Sequence, residues 1–479
     1  MKRKLIESSL IKNTIILIIG NMFIKILALS NRIILTRLLG NEGISLYMIS
    51  LPSIMLFLSI GSLSLNITVT KIVAEKNDGS ILKKAIRIAL ISSFILGIIL
   101  LILVKPLTNS WLKQPKAFYP IILSFPLITL SAINSVTRGY YNGIKKVNIT
   151  TLSILLEQIV RIAASIILII LFIDRGIVFA VSIAIIAMSI GEIGSIAYTV
   201  IMLKKYKLPN YNKCNNKEIL NIAIPITASR LFGNITYFLE PIIFTLSLSI
   251  LNYQSDKILF LYSETTAYTL PLITMFSFIS LALASAIIPY VAKANEYEVS
   301  VYIRKAIYYS LIPAIPITIV LIMYAKEFMY LIYNTTIGSE NVTKYCIFFI
   351  IYYIQSPLIS IMQAKDHSKK LMKILAINDI IKLILIFCLP FITKDGLIIA
   401  FVVPTISITI TLYSFLKNKY KFRFNSQEIA NLIILSLITT IFAILVKVGN
   451  LNYLLASILI FIIFILSSKV LNIFRFNNK

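Results

Sequence analysis

The stretch NTIILIIGNMFIKILALSNRIILTRLL, residues 13–39, decides how the rest of the chain is read. It is longer than the roughly 20 apolar residues that cross a bilayer as a helix. It nevertheless carries Lys25 near its middle, with Asn31 and Arg32 toward its far end. A charged side chain at the bilayer centre costs about 2.5–3.5 kcal/mol on insertion scales, so such a group faces a wet cavity or a partner. A cationic first span predicts that something anionic is handled inside the membrane.

The composition around this stretch excludes a soluble globular protein. The chain has 479 residues, 58% of them hydrophobic and only 14% charged, with a mean hydropathy of +0.91. Those values describe an all-α polytopic membrane protein. A net charge of +27 would point to nucleic acid in a soluble chain. Here the basic residues are those kept in loops on one side of a membrane, and no nucleic-acid partner is expected. Cys214, Cys346 and Cys388 form no C-x-x-C pair and read as packing residues, and His367 stands alone, so no metal is expected. Met1-Lys2-Arg3-Lys4 resembles a signal n-region, but the apolar segment after it is too long for a cleaved signal and reads as an uncleaved first span.

Apolar stretches bounded by charge or turn clusters predict fourteen spans. They lie near 13–38, 44–74, 82–104, 118–140, 150–173, 177–203 and 218–248, then 258–292, 301–323, 342–363, 370–393, 396–416, 427–447 and 450–474. With both termini on the cytoplasmic side, Lys and Arg favour the cytoplasmic loops about three to one. The Lys71 to Arg87, Lys204 to Lys217 and Lys365 to Lys373 groups supply much of that excess. All loops are short, and the longest lies near 324–341. Work done by this chain is therefore expected within the bilayer.

Spans two and eight look related. Leu51-Pro52, Val73-Ala74 and Lys84-Ala85-Ile86 recur as Leu270-Pro271, Val291-Ala292 and Lys305-Ala306-Ile307, at nearly constant offset. Six spans separate the two halves, so they share an orientation, and a site between two parallel-repeat lobes is expected, as in transporters. The lobes would be 1–203 and 218–416, joined by a cytoplasmic linker at 204–217, with 417–479 adding two C-terminal helices.

Polar residues inside the spans mark the candidate site. Arg138-Gly139-Tyr140-Tyr141-Asn142-Gly143 closes span four, where an interfacial anchor is the plainer reading and glycines permit close approach. Glu157 and Arg161 are four apart on one helix face, either a structural ion pair or a pair that a charged cargo opens. Glu192 lies between Gly191 and Gly194, at a close helix contact. Arg230 and Glu240-Pro241 fall in span seven, where the proline is expected to bend the helix, and Glu264 precedes Pro271 in span eight. Glu240 and Glu264 are candidates for proton or cation coupling, and an interspan pair such as Arg230 with Glu264 stays open. Asp379 and Lys382 are spaced to pair. No G-x-x-x-x-G-K-[ST] motif occurs, so no cofactor is expected, and energy would come from protons, sodium or the membrane potential.

Several of these runs together resemble a known family. Asn31-Arg32, Thr36 to Tyr47, Lys71 to Glu75, Arg138 to Gly143, Glu157 to Arg161, Ser229 to Asn234, Phe238 to Pro241 and Tyr352 to Pro357 occur in the family's order. They are similar to the stage V sporulation protein B family, within the multidrug/oligosaccharidyl-lipid/polysaccharide exporter superfamily. The resemblance implies two helical lobes around a central cavity that opens alternately to either side. It implies a flippase in the cytoplasmic membrane, or the membranes around a forespore, rather than an enzyme. Its cargo would be a lipid-linked oligosaccharide such as the peptidoglycan precursor lipid II, with cell-wall synthesis enzymes as partners beside membrane lipids. Lipid II flippases place arginines in spans one, two and eight. Lys25 fits the first, while Leu56 and Phe57 in span two and Glu264 in span eight depart from that pattern.

The expected assignment is therefore a flippase with Lys25, Asn31, Arg32 and Arg230 on the substrate, and Glu157, Arg161, Glu240 and Glu264 in coupling or gating. A multidrug or cation antiporter of the same fold and a membrane enzyme acting on polyprenyl-linked sugars are the alternatives.

Overall fold

The computed structural model describes residues 2–206, 208–211 and 214–471, with side chains from Ile19 onward except Pro289 and Lys293. Among these residues there are helices and no strands. Thirteen stretches are long and apolar enough to cross a membrane. The fourteen expected spans reduce to thirteen stretches because the first two are continuous. One helix, α1 (Lys2–Gly61), covers the first and the start of the second, and only Gly40 within it leaves helical geometry. Its φ of 64° and ψ of −171° lie where a Cβ is disfavoured, so a single glycine does the work expected of a loop. At 1.5 Å per residue, the 58 residues from Ile19 to Lys76 have ample length for two crossings.

The described chain divides into two compact units, Met1–Ser263 and Glu264–Lys479. The division falls within the eighth expected span rather than in the 204–217 stretch. That stretch is held to its own unit by several contacts. The Leu208 amide donates to Tyr140 Oη at 2.7 Å, the Gly79 amide donates to Pro209 O at 2.8 Å, and the Tyr211 amide donates to Asp78 Oδ1 at 2.9 Å. Cys214 is buried beside Ile219 and Ala223, and burial pushes its thiol up, which keeps it an inert packing group. Cys346 is also buried, but Cys388 is exposed and does not pack in a core.

In the first unit the helices following α1 are α2 (Leu65–Lys76), α3 (Ser80–Pro106), α4 (Phe125–Gly143), α5 (Val147–Phe172), α6 (Ile177–Leu203), α7 (Asn216–Ile250) and α8 (Ser255–Ser263). Glycines set the close packing of several. Gly139 and Gly143 form a G-x-x-x-G stripe on α4, and it faces α2. A Cβ on Gly139 would lie 2.6 Å from Asn66 O, and one on Gly143 would lie 2.6 Å from Val73 Cβ. Gly191 and Gly194 bring α6 onto α5 in the same way, against Glu157 O and the Val160 side chain.

The second unit repeats this pattern. Its main helices are α9 (Phe278–Lys293), α10 (Glu296–Met323), α11 (Tyr352–Ala364), α12 (Ser368–Cys388) and α13 (Gly396–Tyr420). Span two is interrupted after Gly61 and its repeat partner at Thr274, at positions that do not align when the two Leu-Pro steps are matched. Val73 and Ala85 sit in one apolar cluster, and their counterparts Val291 and Ala306 sit in the equivalent cluster of the second unit. The last two helices, α14 (Ser426–Val448) and α15 (Tyr453–Val470), pack on α10 through Leu435, Ala443, Ile460 and Phe464. The expected long loop near 324–341 contains the helix Ala325–Tyr333. Its buried Ala325, Met329 and Tyr333 recur every four residues along one face.

Large apolar side chains are also displayed outward. Ile91, Phe94, Ile98 and Ile102 on α3 and Ile441 and Leu445 on α14 are exposed. Helices that are apolar outside, with their backbone hydrogen bonds closed internally, suit hydrocarbon as the surrounding solvent. The chain is a multi-pass membrane protein.

The α2–α4 contact provides a stability test. Gly139→Leu should cost about 1–3 kcal/mol through overpacking against backbone. Thermal unfolding in detergent checks this, with Gly233→Ala as the control, because nothing lies within 4 Å of a Cβ there. Equal melting of both variants would contradict the packing account.

Candidate functional site

The site is built on the two arms of α1 that meet at Gly40. Lys25 and Arg32 are seven residues apart, which places them on nearly one helix face about 10 Å apart along the axis. Lys25 is exposed and Arg32 half-buried. The Arg32 Nη2 donates to Met48 Sδ at 3.4 Å, across the two arms. Asn31 is buried, and its Oδ1 makes no hydrogen bond among the described residues.

Three tyrosines and an acid surround Arg32. Arg32 and Glu240 are both within electrostatic reach of Tyr237 and Tyr262, on α7 and α8. Glu240 is 2% exposed, so a carboxylate and a guanidinium share a largely apolar, aromatic setting. Pro241 follows Glu240 inside α7, which runs from Asn216 to Ile250. Two hydrogen bonds position these helices on α1. Asn234 Nδ2 donates to Ser59 Oγ at 2.6 Å, and Ser45 Oγ donates to Ser263 Oγ at 2.5 Å. Arg230, one turn before Asn234, is exposed.

Beside this cationic group lies a buried ion network on α4, α5 and α6. Glu157 accepts from Arg138 Nη2 at 2.5 Å and from Arg161 Nη2, so one carboxylate serves two arginines. Arg138 Nη2 also donates to Ser195 Oγ at 2.9 Å, and Ser195 Oγ donates to Asn134 Oδ1 at 3.2 Å. Asn134 Nδ2 then donates to both the carboxylate and the carbonyl of Glu192. Two acids and two arginines balance in charge, as burial in an apolar bundle requires. The Nε atoms of Arg138 and Arg161 are buried and donate to nothing among the described residues. Tyr47 links the two regions. Its hydroxyl donates to Met188 Sδ at 3.7 Å, and both Arg32 and Arg161 act on it electrostatically.

The structure thus brings Arg32, Asn31 and Glu240 into one unit with Glu157 and Arg161. Glu264 opens the π-helical turn Glu264–Thr269 of the other unit and is half-buried. Lys382 acts electrostatically on Asp379, and its ammonium lies 5.4 Å from the centre of the Phe401 ring.

Two functional candidates escaped the sequence. Arg138 reads there as an interfacial anchor, but it is a member of the ion network with a side chain 16% exposed. Asn134 joins the same network and is 1% exposed. The available signal was spacing, because Asn134 and Arg138, Glu157 and Arg161, and Glu192 and Ser195 form one-turn polar pairs in three apolar spans.

An all-helical, two-unit chain with charges buried among its spans belongs to the class of multi-pass helical membrane proteins. The family described as "Polysaccharide biosynthesis protein" matches residues 10–251, and the chain belongs to it. Stage V sporulation protein B of Bacillus subtilis (strain 168) is 28% identical over 80% of this chain and 78% of its own length. Among solved structures, the lipid II flippase MurJ in an inward closed conformation superposes with a TM-score of 0.74. It is 16% identical, and the match covers 94% of this chain and 97% of that one. An inward-facing multidrug resistance MATE family transporter of the MOP superfamily gives 0.63 at 15% identity, covering 84% and 94%. The fold is that of this transporter superfamily.

The network predicts a specific mutational pattern. Glu157→Gln should destabilise by about 3–5 kcal/mol, because it strands two guanidiniums rather than one. Combining Glu157→Arg with Arg161→Glu should not restore stability, since Arg138 would then oppose a cation. Thermal unfolding of both variants checks this, and full rescue by the exchange would show that Arg138 is not part of the pair.

Proposed function

We propose that this chain is a flippase that carries a polyprenyl-diphosphate-linked saccharide from the cytoplasmic to the outer leaflet by alternating access. The observation that carries the reading is Arg32, half-buried within the first helix, on nearly the same face as Lys25, in a chain of the polysaccharide biosynthesis family. In this reading Lys25, Asn31 and Arg32 hold the diphosphate, with Arg230 assisting at the entrance. The polyprenyl tail stays in lipid, where it costs nothing to solvate. Glu240 replaces the cargo as counter-charge for Arg32 after release, and Glu264 is a coupling acid for protons or sodium. Tyr47 passes the presence of an anion from Arg32 to Arg161, so that Glu157 and Arg161 respond to occupancy.

The name of one structural neighbour, a lipid II flippase, supports lipid II as cargo, and that of one relative, a stage V sporulation protein, supports a role in sporulation. In this reading the product serves the spore cortex, and cell-wall synthesis enzymes are the partners. The basic excess in alternate loops supports cytoplasmic termini. A cation antiporter is the second reading. It is favoured by Glu240, a buried acid among tyrosines that suits a cationic ligand.

Reconstituted vesicles distinguish the two. Lipid II and other polyprenyl-diphosphate sugars should cross, and a cationic dye should not. Arg32→Ala and Lys25→Ala should each lower cargo flipping by about tenfold or more with membrane insertion unchanged. Dye transport without cargo flipping would replace the flippase by the antiporter.

A further inference from the structure

At the end of two of its spans, the second unit contains a basic cavity that the transport reading does not use. It lies where the start of α10 meets the end of α13 and the irregular segment after it. Its volume is about 410 Å³, and Arg304, Lys419, Lys421 and Arg423 line it, with Glu296 and Tyr297 opposite. That volume falls within the range of small-ligand sites, roughly 300–1,000 Å³.

The cations converge there because of a sequence alternation. Lys419-Tyr420-Lys421-Phe422-Arg423-Phe424 places a base at every second position. Tyr420 and Phe422 are buried in the apolar cluster of the second unit, with Phe424 packed against it. With the aromatics turned inward, Lys419, Lys421 and Arg423 are all exposed on the cavity side. Tyr413 and Phe422 rings meet edge to face at 5.3 Å, which fixes the segment. Lys421 itself has a φ of 48°, at a helix end where glycine is favoured.

Glu298 is committed to the capping box of α10, exchanging hydrogen bonds with Asn295 at 2.9 Å each way. Glu296 is the acid that lines the cavity, against four cations. Arg304 is 9% exposed, so one of those cations is a buried, built element of the wall. Basic groups at the cytoplasmic ends of spans attract anionic headgroups by about 1 kcal/mol each. We propose that this cavity binds a phosphate ester, with the headgroup of an anionic phospholipid as the ligand. Guanidinium and ammonium groups donate to the phosphate oxygens, and the exposed Tyr297 ring covers the glycerol. This site is independent of the cargo and of the transport cycle.

Native mass spectrometry of the full chain in phosphatidylcholine nanodiscs doped with phosphatidylglycerol tests the assignment. The wild type should retain phosphatidylglycerol in preference to phosphatidylcholine. Lys419→Gln/Lys421→Gln/Arg423→Gln should reduce that retention by about tenfold or more. Lys83→Gln/Lys145→Gln/Lys369→Gln removes the same charge elsewhere and should leave it unchanged. Displacement of the retained lipid by glycerol phosphate at matched concentration would support the cavity and assign it to a soluble phosphate ester. Equal retention of both lipids, or an equal loss in both triple variants, would overturn the proposal.

Discussion

A carboxylate in the middle of an apolar helix bundle has to be neutralised where it stands, because water is not there to do it. Glu157 meets that demand by accepting from Arg138 and Arg161 at once, and Glu192 is tied into the same network through Asn134 and Ser195. The arrangement fixes the relative positions of three helices. Gly191 belongs to the same constraint, because a Cβ there would lie 2.9 Å from both Glu157 O and Arg161 Cβ. Close backbone approach and buried charge are therefore one design, and neither works without the other. Such pairs contribute little net stability compared with apolar packing, and so their presence argues for use as well as for support.

The same physics gives Arg32 its meaning. It is half-buried, bonded to a thioether and flanked by tyrosines, with Glu240 acting on the same rings. A guanidinium in that setting is poorly hydrated, and an anion with several oxygens is the partner it is best shaped to hold. Tyr47 stands between this arginine and the ion network, in reach of both. A charge placed at Arg32 would therefore act on a side chain that Arg161 also reaches.

Much of this was legible in the sequence, for reasons that particular residues make clear. Apolar length and basic loops disclosed the spans, and the Leu-Pro repeat disclosed two related halves whose counterparts Val73 and Val291 occupy equivalent clusters. Charges within spans disclosed Arg32, Glu157 and Arg161, since hydrocarbon tolerates few such residues. Less was legible where a residue's role depends on a neighbour from another helix. Arg138 sits at the end of its span, and its position alone does not show that Glu157 lies opposite. Gly40 looked like part of a loop, because a one-residue turn inside a continuous helix has no signal beyond the glycine itself. The unit boundary at Ser263 was hidden because the contacts of residues 204–217 with Tyr140 and Asp78 join segments distant in sequence.

The central claim is that the inner face of α1 holds the anionic part of the cargo. Photo-crosslinking of a polyprenyl-diphosphate saccharide with a diazirine beside the diphosphate, followed by peptide mapping, tests it most directly. Adducts should concentrate on α1 between Lys25 and Arg32 and on the facing turn of α7 around Tyr237, and excess unlabelled cargo should suppress them. Saturable labelling confined to other helices, with that part of α1 unlabelled, would contradict the claim.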